Sequence, residues 1–130
     1  MQKRNLLYAA LILAITVALS SCFHDQDLHI RVNDDDDVYR MRAYFDEDLT
    51  ADVQKVINKH LKQHHSASFA HVYTDGDVRL DDGTSFYLKI VPGRLKIKID
   101  RSENQEESCE DLRQMCDEIK EVLANSEDNE

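Results

Sequence analysis

The chain has 130 residues and a formal charge of −10, from 26 Asp plus Glu against 16 Lys plus Arg. That length allows one modest domain. The acidic balance disfavours bulk nucleic-acid binding and adhesion to anionic membranes, while favouring solubility.

The first element is a targeting segment. Lys3 and Arg4 are its only charges, and fourteen uncharged residues follow from Leu6 to Leu19. A positive start, a short apolar run and small residues before a cut site make a secretory signal. The run is shorter than the ~18–20 apolar residues a spanning helix needs. Extending it through Phe23 would make a marginal span, so an uncleaved anchor is the alternative.

The residues Leu19-Ser20-Ser21-Cys22 resemble the lipobox of bacterial lipoproteins, an aliphatic residue and two small residues before a Cys. The resemblance covers residues 1–22. It implies diacylglycerol on the Cys22 sulfur, cleavage before Cys22 and acylation of the new amino terminus, with two or more chains giving a stable membrane anchor. Phe23 stands where an inner-membrane lipoprotein of enteric bacteria carries Asp, so the resemblance implies a cell-envelope protein of the outer membrane, its periplasmic or surface face undetermined. Removing residues 1–21 leaves 109 residues and moves the charge to −12. Residues 22–27 then form the lipidated Cys and a tether, 28–123 a single domain, and 124–130 a disordered acidic tail.

Within the domain, Leu28, Ile30 and Val32 alternate with His29 and Arg31, and Tyr39, Met41, Ala43 and Phe45 alternate with Arg40, Arg42 and Tyr44. Period two predicts two half-buried strands joined by an acidic turn over 33–37. Leu49, Val53, Val56, Ile57 and Leu61 follow helical spacing, with Asp48 or Thr50 as the cap and Lys55, Lys59 and Lys62 opposite. Four short strands are expected next, over 68–74, 77–80, 85–91 and 94–100. Asp75-Gly76, Asp82-Gly83 and Pro92-Gly93 would make their turns. Phe86, Leu88, Ile90, Leu95, Ile97 and Ile99 mark the inward face. A second helix starts near Ser102 or Ser108, with a stripe of Leu112, Met115, Cys116, Ile119, Val122 and Leu123. The order ββαββββα predicts an α+β two-layer sandwich, a largely antiparallel sheet under two amphipathic helices.

Chemistry-bearing motifs are sparse. No nucleophile elbow, P-loop or dinucleotide fingerprint occurs, so a non-enzymatic domain without a cofactor is expected. His60 and His64 are spaced as zinc ligands on one helix face, but no full ligand set accompanies them, and both continue the core-facing stripe. They define the alternative reading, a metal- or small-ligand-binding envelope module. The acidic runs over 33–37 and 75–83 lack the ligand pattern of a calcium loop. Cys109 and Cys116 are seven residues apart, roughly 10.5 Å along one helix, beyond the ~7 Å a disulfide tolerates. Two free, buried thiols are therefore expected unless the helix begins after Cys109.

The main candidate surface is the outer sheet face. The alternation projects Arg40, Arg42, Lys89, Lys96 and Lys98 together, with Tyr44 and Tyr87 among them. Such a basic, aromatic face suits an anionic envelope protein, a glycan or lipid headgroups. It is also what the solvated face of an antiparallel sheet commonly looks like.

Overall fold

The computed structural model describes residues 28–62, 69 and 72–128. The signal segment, Cys22, the tether and His64 lie outside the described residues. The elements are β1 (His29–Asp34), β2 (Val38–Tyr44), α1 (Thr50–Leu61), β3 (Thr74–Arg79), β4 (Ser85–Val91), β5 (Arg94–Asp100) and α2 (Glu106–Asp128), with short 3-10 turns ahead of each helix. The five strands form one sheet in the order β1-β2-β5-β4-β3, and every pairing is antiparallel. The architecture is the expected α+β sandwich, with both amphipathic helices contributing to one core.

Strict alternation builds that core. On β2, β4 and β5 the residues Tyr39, Met41, Ala43, Phe86, Leu88, Ile90, Leu95, Ile97 and Ile99 are all buried. Successive strand side chains point to opposite faces, so each of these strands gives one face wholly to the core. Val53, Val56, Ile57 and Leu61 of α1 and Leu112, Met115, Cys116, Ile119 and Leu123 of α2 close it. Leu49 and Val122 pack at its margin. Every buried hydrophobic residue among those described falls between Tyr39 and Leu123. The chain following Cys22 therefore carries this core entire.

Several details depart from the sequence expectation. Asp75-Gly76 is not a turn but lies inside β3, paired across to Lys89 and Leu88. Of the segment 68–74, Phe69, Val72 and Tyr73 lie outside any strand, and Thr74 begins β3. The β3–β4 connection is the Asp82-Gly83 turn, as expected, where Gly83 has φ +91° and the Thr84 amide donates to Asp82 Oδ1 (2.9 Å). Helix α1 has no side-chain cap at its own start; Asp46 caps the 3-10 turn Glu47–Leu49 ahead of it, its carboxylate accepting from the Asp48 amide (2.9 Å). Thr50 is buried and serves another purpose: its Oγ1 accepts from the Gly93 amide (2.9 Å). The Gly93 carbonyl in turn accepts from the Phe45 amide (3.0 Å). With φ +73° and Phe45 O 2.8 Å from where a Cβ would stand, this position suits only glycine. The Pro92-Gly93 turn is thereby pinned under the start of α1.

Helix α2 starts at Glu106 and continues to Asp128, so residues 124–128, expected in a disordered tail, are helical. Asn104 anchors the approach to it. Its Nδ2 donates to the carbonyls of Ser85 (2.9 Å) and Asp100 (2.8 Å), and its Oδ1 accepts from the Ser85 amide (2.8 Å). The strand β1 is the weakly covered edge: Leu28 and Ile30 are only partly buried, and Val32 remains 40% exposed. Its apolar side faces the core layer by parity, but as an edge strand it has a strand neighbour on one side only.

Candidate functional site

The outer face of the sheet is built by the residues that alternate with the core. Three cross-strand rows follow from the register. The first runs His29–Tyr44–Arg94–Val91. The second runs Arg31–Arg42–Lys96–Lys89–Asp75. The third runs Asn33–Arg40–Lys98–Tyr87–Asp77. Neighbouring strands stand ~4.8 Å apart, and alternate residues along a strand are roughly 6.7 Å apart. The second row therefore holds four consecutive cations across about 14 Å.

All five cations expected on this face are there, with Tyr44 and Tyr87 among them. Arg31 and Arg94 join them, and the sequence reading did not include either. Arg94 shares the parity of Lys96 and Lys98, so parity alone would have found it. Arg31 enters only because β1 pairs with β2 in the register that sets it opposite Arg42.

None of these seven cations has a carboxylate within ion-pair distance among the described residues. Their contacts are aromatic instead: Arg94 lies 5.8 Å from the Tyr44 ring centroid and Lys96 5.5 Å from that of Tyr87. Cations within ~6 Å of a ring face are attracted by its quadrupole. The Tyr87 hydroxyl donates to Asp75, a bond that raises the phenol above its ordinary value. Tyr44 is half exposed, at 51%, although large and apolar on its ring faces. The row's acidic end at Asp75 and Asp77 belongs to the edge strand β3.

Many other carboxylates of the described residues lie off this face. Helix α2 carries nine against two cations. At the far end of the strands, Asp35 shapes the β1–β2 turn: its Oδ1 accepts from the amides of Asp37 (3.0 Å) and Val38 (2.7 Å), which holds its carboxyl below the usual range. Asp34 pairs with Arg101 and, at 3.7 Å, with Arg113. Asp100 accepts from the amide and hydroxyl of Ser102, which lowers it likewise. These carboxylates serve as turn and pairing groups.

The alternative site is partly described. His60 Nε2 is 2.5 Å from Glu118 Oε2, and Lys59 Nζ is 3.0 Å from the other oxygen. Both interactions lower the Glu118 carboxyl, His60 most. His60 thus ties α1 to α2. Among the described residues, no three His, Cys, Asp or Glu side chains gather as a metal site.

Cys109 and Cys116 are free and buried, both within α2. Burial pushes the Cys116 thiol up to about 12, opposed by a hydrogen bond from the Tyr39 hydroxyl. Burial also raises Cys109. Neither resembles an activated thiolate.

Among the described residues no helix is long and apolar enough to cross a membrane. No protein-family model, curated protein or solved structure matches the chain.

Proposed function

We propose that this chain is a lipid-anchored protein of the bacterial cell envelope, attached through Cys22, whose folded domain is a non-enzymatic binding module for an anionic partner. The carrying observation is the row Arg31–Arg42–Lys96–Lys89, four neighbouring cations without carboxylate partners among the described residues. Directly opposed like charges cost stability in a sheet. A face that needed only to be solvated would be better served by alternating signs, so the row is suited to a partner that supplies the missing negative charge. The lipobox resemblance at Leu19-Ser20-Ser21-Cys22 supports the anchor and the outer-membrane address.

Mass spectrometry of the protein extracted from membranes tests the anchor. Loss of residues 1–21 with added acyl mass is expected; an intact amino terminus refutes it. Pull-down from envelope extracts tests the face. The double reversal Arg42→Glu/Lys96→Glu should lose the co-purifying material, and unchanged capture would refute the surface. The alternative, a metal module using His60 and His64, predicts binding heat when Zn²⁺ is titrated into residues 23–130.

A further inference from the structure

We infer that the anionic partner of the outer sheet face is the phospholipid headgroup layer of the membrane that holds the anchor, so that the domain lies with this face toward the lipid. The inference rests on the anchored reading above and adds an orientation to it.

Two observations carry it. The first is where the chain enters the fold. From Cys22 to His29 is seven residues, at most roughly 24 Å of extended chain. His29 begins β1 beside Tyr44, which pairs with Arg94. The anchored end of the domain is therefore the end where Tyr44 and Arg94 stand, one step from the row Arg31–Arg42–Lys96–Lys89. The Asp35 turn, Asp34 and Asp100 are at the opposite end of the strands. Both ends carry mixed charge, with Asp46, Glu47 and Asp48 following β2 at the tether end and Arg40, Lys98 and Arg101 near the far one, so what the tether end contributes is its closeness to the cationic row and to Tyr44 on the outer face. Tyrosines concentrate at membrane–water interfaces, where an apolar ring and a polar hydroxyl are both accommodated. The half-exposed Tyr44, with Arg94 over its ring, has that character.

The second observation is the separation of charge between layers. The overall acidity argues against an anionic surface only if the charges are mixed. Here the excess carboxylates of α2 lie behind the sheet, on the far side of the core. At ~0.1 M salt the screening length is about 10 Å, so a headgroup against the sheet feels the near cations far more than the acids behind them. Basic residues close to an anionic leaflet each add favourable attraction. The anchor alone leaves orientation free, and these cations would select one.

The test separates this surface from the anchor by removing the anchor. Residues 23–130, which carry the whole core found among the described residues, are sedimented at about 0.1 M salt with vesicles of phosphatidylcholine alone or with one-third phosphatidylglycerol. At least tenfold more bound protein on the anionic vesicles is expected, lost in 0.5 M NaCl. The double variant Arg42→Glu/Lys96→Glu should abolish the difference, whereas Lys55→Glu/Lys62→Glu, on exposed positions of the helix layer, should preserve it. Equal binding to both vesicle types, no binding to either, or retention by the sheet variant would each overturn the inference. So would salt-sensitive dimerisation without vesicle binding, which would assign the face to the acidic helix of a second copy. Acylation of Cys22 is read separately by mass, so loss of the anchor and loss of the surface are distinct results.

Discussion

The two faces of β2, β5 and β4 are made by the same three strands and have opposite roles. Residues of one parity, such as Met41, Ile97 and Leu88, are fully buried and hold the helices. Residues of the other parity, Arg42, Lys96 and Lys89, alternate with them in sequence and form the opposite, outer face. Period-two geometry allows this division within a few residues. It means that the outer face can be set by binding, even at some cost to stability, while the inner face keeps the domain folded.

Substitutions on neighbouring residues should break the two faces apart. Ile97→Ala leaves a cavity at the centre of the sheet and should lower unfolding free energy by about 2–5 kcal/mol in denaturant titration. Lys98→Ala, one residue on, should change it by less than about 0.5 kcal/mol. Gly93→Ala strains the turn that joins β4 to β5, because it combines φ +73° with a close approach to Phe45 O. A loss of about 2 kcal/mol is expected. A smaller loss would mean that the turn moves without disturbing the inner face.

The outer face should show the opposite sign. Lys96→Glu places an anion between Arg42 and Lys89 and converts a like-charged row into an alternating one. Its unfolding free energy should rise by about 0.5 kcal/mol, while capture of the anionic partner falls. If stability dropped instead, Lys96 would be contributing to the fold through its contact with Tyr87.

The smallest effect belongs to the helix layer. Glu118 is held below its ordinary 4.5 by His60 and Lys59. A carboxyl depressed in the folded state stabilises above its unfolded pKa, and that contribution is lost as pH falls through the lower folded value. Melting temperature should therefore decline below about pH 4.5, less steeply in Glu118→Gln. At neutral pH that variant should lose only about 0.3 kcal/mol, as exposed ion pairs do. A decline of equal slope in both proteins would assign acid sensitivity to Asp35 and Asp100, whose carboxyls are depressed in the same direction.

Much of the core was legible because alternation and helical spacing are local signals. Tyr39, Leu88, Ile97, Ile57 and Met115 are buried where their periods predicted. Local signals misled where a long-range contact decided. Asp75-Gly76 has turn composition, yet pairing with β4 draws it into a strand. Thr50 has cap chemistry, yet its hydroxyl is claimed by Gly93, 43 residues away. Val32 has the parity of a core residue, but its place on the edge strand leaves it 40% exposed.

The sequence by itself determined the parity of each strand, the two apolar helix stripes and the resemblance to a lipoprotein signal, since these depend on residues close together in the chain. Only the tertiary structure decided which strands are neighbours. The order β1-β2-β5-β4-β3 brings Arg31, Arg42, Lys96 and Lys89 from four separate segments into one row. Strand order and register arise from how the whole apolar surface is buried at once, and no local pattern encodes that.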